Sequence, residues 1–208
     1  LVVTAGAMVV GVTLSLACAI TLTQFCPKQL AAVVKPAIEL LAGIPSVVYG
    51  FMGMVTLIPF VGYSVLAASI VLGIMALPTI TSISVDALQA VPRSYWEGSI
   101  ALGATRWQST TMVMLRAARS GIVAAVILGM GRAIGETMAV IMVAGNALKI
   151  PHSPFDSVRT LTATIASEIP EATGAHREAL FAAGVTLFII IMILNSIALA
   201  VSRHRARS

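Results

Sequence analysis

Between Leu40 and Val85 the chain carries no Asp, Glu, Lys or Arg, and neither do the residues before Lys28 nor the stretch from Ala179 to Ser202. Charge-free runs of this length decide the solvent before any fold is considered, because a helix crossing a bilayer needs about 20 mostly apolar residues. Composition agrees: of 208 residues, 58% are hydrophobic and only 10% charged, where a soluble domain carries about 25% charged residues. Such a chain could not cover a globular surface in water. Collagen-like, disordered and disulfide-scaffold architectures are excluded too, and an all-α, multi-pass membrane protein remains.

Five spans follow from these runs and the turn residues between them. The first is expected at Leu1 to Thr23, ended by Gln24, Pro27 and Lys28. The longest run exceeds one helix, and Pro59, Gly62 and Tyr63 divide it into spans at Ala37 to Phe60 and Ser64 to Val85. A fourth is expected at Ser120 to Ala147 and a fifth at Ala179 to Ser202. The net charge of +5 then reads as topology rather than nucleic-acid binding, since cytoplasmic loops hold the excess of Lys and Arg. Lys28, Lys35, Arg93, Arg106, Arg116, Arg119, Arg203, Arg205 and Arg207 fall on one side, and Lys149, Arg159 and Arg177 on the other. The first set is placed in the cytoplasm, with the basic tail as an anchor beside anionic lipid. The start is then outside, without the basic flank of a signal peptide, so an upstream helix is expected.

The longest cytoplasmic connection, residues 86–119, carries more apolar and aromatic surface than a free loop can expose: Tyr95, Trp96, Ile100, Leu102 and Trp107. Pro92 suits a helix start, Arg93 and Glu97 are spaced to pair on one face, and Gly103 breaks the pattern. Physics alone leaves two readings, an amphipathic helix on the inner leaflet or a helix docked in a partner's groove. The segment resembles the EAA loop of ABC-importer permeases, E-A-A, three residues, G, nine residues, I-x-L-P. Here Glu97 precedes Gly103 by six, and Val113-Met114-Leu115-Arg116 stand at the end; Gly98-Ser99 replace the alanines and Arg116 the proline. The resemblance implies a coupling helix, with Arg93, Glu97, Leu102, Gly103 and Trp107 meeting a cytoplasmic ATPase.

Two more stretches narrow it. Leu41-Ala42-Gly43-Ile44-Pro45-Ser46-Val47-Val48-Tyr49-Gly50 and Gly131-Arg132-Ala133-Ile134-Gly135-Glu136-Thr137-Met138-Ala139-Val140 resemble segments of the phosphate-specific (Pst) transporter permeases. Met142-Val143-Ala144-Gly145-Asn146 and Val158-Arg159-Thr160-Leu161-Thr162-Ala163-Thr164-Ile165 are similar to the PstC-type subunit rather than the PstA type. The resemblance implies the type I importer permease fold over residues 1–208, in the bacterial inner membrane with the C-terminus cytoplasmic. It implies a PstA-type permease, ATP-binding subunits and an extracytoplasmic phosphate-binding protein as partners. The chain has no G-x-x-x-x-G-K-[ST] loop, so ATP is expected to be used by another subunit, and no cofactor or metal is expected here.

Arg132 and Glu136 lie within the fourth expected span, where a charge costs about 2.5 to 3.5 kcal/mol on insertion scales. A spacing of four puts them on one face of a continuous helix. Either they lock that helix to a neighbour, or with Thr137 they line a substrate path. Gly129, Gly131 and Gly135 leave the helix bare beside them, and a guanidinium is a planar fork matched to oxyanions. Glu136 would then hold Arg132 in place and moderate its grip on an anion, as conduction requires.

Elsewhere the signals are weak. The external segment 148–178, with Asp156, Glu168, Glu171 and Glu178, could face a substrate-delivering protein but reads more simply as a solvated cap. Cys18 and Cys26 read as small hydrophobes, the methionines as packing, and His152, His176 and His204 have no ligand spacing. The rivals to a phosphate permease are a permease for molybdate, sulfate or phosphonate, an ATP-independent channel, and an intramembrane enzyme, against which no His lies within an expected span and Glu136 has no nucleophile partner better than Thr137.

Overall fold

The computed structural model describes the backbone of residues 1–207, and the side chains of all of these except 28, 198 and 200–207. The topology markers Lys28, Arg203, Arg205 and Arg207 are thus outside the described side chains. Among the described residues the chain is helical with no strand, apart from an isolated bridge between Gly145 and Val158. In order these are α1 (Val2–Ile20, continued by a π-helical turn to Phe25), α2 (Lys28–Ala42), α3 (Ser46–Thr56), α4 (Ile58–Val61), α5 (Val65–Gln89) and α6 (Arg93–Ala101). They are followed by α7 (Arg106–Gln108), a π-helical stretch Ser109–Met114, α8 (Leu115–Ala117), α9 (Arg119–Gly135), α10 (Met138–Val143), α11 (Leu161–Glu168) and α12 (Gly174–Arg207).

Three helices are long and apolar enough to cross a bilayer singly: Val2–Phe25, Val65–Gln89 and Gly174–Ile197. They match the first, third and fifth expected spans. The second and fourth are not straight. Expected at Ala37 to Phe60, the second is two helices, α2 and α3, meeting at 94° across Gly43, Ile44 and Pro45. Pro45 sets the bend, because the residue before a proline is pushed out of the helical region and the proline itself suits only a helix start. The fourth, expected at Ser120 to Ala147, is α9, which ends at Gly135; the segment Arg106–Ala117, expected in the cytoplasmic connection, precedes it at a bend of 71° and counts with it as one bent pair. Counting each bent pair as one span restores five.

The chain forms two compact units, Leu1–Gly11 with Ile44–Ala76 and Met130–Ile197, and Val12–Gly43 with Leu77–Gly129 and Ala198–Ser208. The first packs around Val3, Ala7, Ala68, Val71, Leu72, Ala139, Val140 and Val143. With no gain in apolar burial between lipid and protein, such contacts depend on close approach and hydroxyl bonds. Ser69 Oγ accordingly donates to the Val3 carbonyl at 3.2 Å. Gly50 of α3 lies so near α10 that a Cβ would come 2.9 Å from Ala139 Cα. In the second unit Ala19, Val85, Leu88, Met114 and Ala118 form the core. There Ser15 Oγ donates to the Leu77 carbonyl at 3.2 Å, and Lys35 Nζ meets Asp86 Oδ1 at 2.7 Å.

Part of segment 148–178 caps the start of α5. A helix begins with unsatisfied N–H groups, and here Val65 N donates to the Asp156 carbonyl at 2.9 Å and Leu66 N to that of Pro154 at 2.8 Å. The loop is closed by the Asp156 carboxylate, which accepts from His152 N (2.9 Å), Ser153 N (3.0 Å) and Lys149 Nζ (3.0 Å). Those bonds hold its pKa at about 2.

Candidate functional site

Two places carry chemistry, one at the α9–α10 break in the first unit and one around α6 in the second. At the first, Arg132 occupies the last turn of α9, and Glu136 and Thr137 form the linker to α10. The helix is therefore not continuous through the pair, and its expected shared face does not exist. Glu136 instead turns back on the next helix: its Oε1 accepts from Ala139 N at 3.2 Å, the role of an N-terminal cap. Thr137 Oγ1 donates to the Gly135 carbonyl at 3.3 Å, and Thr162 Oγ1 donates to the Glu136 carbonyl at 3.1 Å. Carbonyls released by the break thus find side-chain donors, the condition under which broken helices are tolerated at membrane depth.

Arg132 is half-buried and lies within electrostatic range of the Tyr49 ring, one turn into α3. The two broken helices therefore bring the second and fourth stretches together, through Gly50 against Ala139 and through Arg132 near Tyr49. Tyr49, Thr162 and Arg159 are neighbours of this site that sequence reasoning did not single out. Tyr49 sits in an apolar run with nothing but its proximity to Pro45 to mark it, and Arg159 reads in the sequence as a topology charge.

Around α6 the candidate residues separate onto different surfaces. Trp96 packs against the second unit's core, and Ser99, buried, shares a hydrogen bond of 2.5 Å with Ser109 Oγ. That anchors α6 to the stretch after it. Gly103 has φ +87 and open space where a Cβ would stand, so the turn requires glycine for its backbone and not for room. Thr105 and Gln108 then form a reciprocal capping box, Gln108 N to Thr105 Oγ1 at 3.2 Å and Thr105 N to Gln108 Oε1 at 2.9 Å. Leu102 and Trp107 project outward, 91% and 59% exposed, with the Trp107 ring 6.3 Å from that of Phe25. Arg93 and Glu97 do not form the ion pair their spacing allows; both line a cavity of about 920 Å³ together with Lys35 and Arg106. Among the described residues no cluster of His, Cys, Asp and Glu could hold a metal.

The family described as "Binding-protein-dependent transport system inner membrane component" matches residues 11–207. The chain belongs to that family. Among its relatives is the probable ABC transporter permease protein YqgH of Bacillus subtilis, 45% identical over 198 residues, covering 90% of this chain and 64% of that one. The phosphate transport system permease protein PstC of Mesorhizobium japonicum is 37% identical over 225 residues, covering 95% of this chain and 69% of that one. The chain thus spans about two thirds of the length of these relatives. In fold it is similar to a chain of the inward-facing MetNI methionine ABC transporter, with a TM-score of 0.80 at 19% identity, covering 98% of this chain and 91% of that one. The all-α permease architecture expected of this family is the one observed, its long helices included.

Proposed function

We propose that residues 1–208 form the transmembrane domain of a PstC-type permease that moves inorganic phosphate inward across the bacterial inner membrane by alternating access. The chain has no ATPase site of its own in this reading. It works beside a PstA-type permease, under ATP-binding subunits and an extracytoplasmic phosphate-binding protein, with its C-terminus in the cytoplasm. The observation that carries the phosphate path is a guanidinium placed beside a helix break. Arg132 stands in the last turn of α9, inside the bent pair counted as one span, and Glu136 and Thr137 follow it in the linker. A charge at that depth is a pathway hypothesis by default, and Arg offers oxyanions two parallel donors. The phosphate named for the PstC relative supports the choice of anion.

The second element is α6 with its turn. Leu102, Tyr95 and Ile100 leave an apolar face exposed on a short, firmly anchored helix, which fits a groove of a cytoplasmic ATPase. In this reading Trp107 and Gly103 set the angle of that face, and Arg93 and Glu97 serve its inner side.

Phosphate uptake by cells or proteoliposomes carrying Arg132→Gln or Glu136→Gln tests the path, with assembly checked by co-purification. Each variant is expected to lose at least about tenfold in rate, the usual cost of one charge-assisted contact. Wild-type uptake by both would end the assignment. A permease for another oxyanion is the second reading, favoured by the unspecified cargo of the 45% identical relative. Competition of sulfate or molybdate with labelled phosphate separates the two.

A further inference from the structure

Next to Glu136 the first unit holds a cavity of about 270 Å³ whose wall is mostly apolar, with polar side chains from Thr4, Glu136, Arg159, Thr160 and Thr162. Arg159 is mostly buried. Its Nη1 meets Glu168 Oε1 at 2.7 Å, and the other carboxylate oxygen meets His176 Nε2 at 3.2 Å. The Arg159 Nε, however, is buried with no hydrogen-bond partner, so the donors of this guanidinium are not all satisfied by its ion pair. Thr160 caps α11 by accepting from Ala163 N at 3.2 Å, so the positive end of that helix faces the same space. Thr160 and Thr162 hydroxyls are 3.0 Å apart. The lining therefore combines donors with one carboxylate, Glu136, which when ionised can only accept.

We infer that this cavity binds a tetrahedral oxyanion that still carries a proton, Arg159 donating to its charged oxygens and Glu136 accepting from its hydroxyl. The inference rests on the phosphate reading above and sharpens it to a substrate class. Phosphate and arsenate keep at least one hydroxyl at neutral pH; sulfate and molybdate keep none. A fully ionised anion would bring an oxygen lone pair against the Glu136 carboxylate, adding like-charge repulsion and leaving an acceptor unmatched. Sites built to bond a substrate hydroxyl reject analogues without one by large factors, up to roughly 10⁴ to 10⁵. With the Glu136 carboxylate only partly buried, discrimination on the order of 100-fold is expected.

Equilibrium binding of radiolabelled phosphate to the purified permease–ATPase complex, without its extracytoplasmic delivery protein, reads this directly. Arsenate should displace the label from the wild type and sulfate should need on the order of 100-fold more. Glu136→Gln, whose amide can donate to a bare oxyanion, should narrow that ratio at least tenfold. Arg159→Gln should weaken phosphate and arsenate alike, while Glu168→Gln, which removes only the outer partner, should keep the ratio. Equal displacement by sulfate and arsenate from the wild type overturns the inference without any variant, as does an unchanged ratio in a Glu136→Gln complex that assembles. If the wild type neither binds nor transports phosphate, the phosphate reading itself falls and the inference with it.

Discussion

Gly50 and Asp156 show how single residues hold the path-bearing unit together by opposite means. Gly50 acts by being absent: a methyl there would stand 2.9 Å from Ala139 Cα and 2.9 Å from Met142 Sδ. The sulfur can move, the backbone cannot, so Gly50→Ala should separate α3 from α10 and cost about 1 to 3 kcal/mol. A lower thermal midpoint of the detergent-solubilised complex checks this, and an unchanged midpoint would show that α10 shifts freely. Asp156 acts by its charge. His152 N, then Lys149, then Ser153 N bond its carboxylate and lower its pKa from 3.8 to about 2. Because the folded value lies below the unfolded one, the contribution is complete above about pH 4 and is lost as pH falls through the folded pKa. Amide exchange at Val65 and Leu66, whose N–H groups the same loop caps, should therefore accelerate between pH 4 and pH 2 beyond the intrinsic pH dependence. In Asp156→Asn it should already be fast at pH 7.

At the scale of elements, the breaks matter more than the helices. α3 and α10 are each too short to span alone, each follows an interruption, and they pack on one another through Gly50 and Ala139. A continuous helix would satisfy its own backbone and place Arg132 and Glu136 on one stripe. The broken one frees carbonyls for Thr137 and Thr162 and turns Glu136 onto α10. α6 is the other decisive element. Its turn depends on φ +87 at Gly103, where proline is forbidden by its fixed negative φ. Gly103→Pro should thus swing Leu102 and Trp107 out of register, and Glu97→Lys should reverse the charge on the helix's inner side. Both variants are expected to keep ATP hydrolysis while losing uptake stimulated by it, read as phosphate moved per ATP hydrolysed in proteoliposomes. Wild-type coupling in both would remove α6 from the ATPase interface.

For the molecule as a whole, the distribution of charge in the sequence was enough to establish a multi-pass helical membrane protein and the three uninterrupted long helices. It also located the turn at Gly103 and the helix before it, because Pro92, the aromatic cluster and glycine are local signals with local causes. Family membership agrees with the spacing of Glu97 and Gly103 and with the two apolar motifs. The bend at Gly43 to Pro45 and the helix break at Glu136 were not legible in the same way. Hydropathy is blind to helix direction, so an apolar run reads as one span whether straight or bent by 94°.

What the sequence determined alone is therefore set by solvent and backbone: which stretches must leave water, where proline and glycine stop a helix, and which charges are expensive. What only the tertiary structure decided is the company those charges keep. Arg93 and Glu97, four apart, line one cavity without pairing. Glu136 bonds its own next helix, and Arg159, far along the chain, lines the same cavity as Glu136. The physical reason is that spacing fixes a face only while the helix continues, and the chain breaks its helices where the candidate path lies.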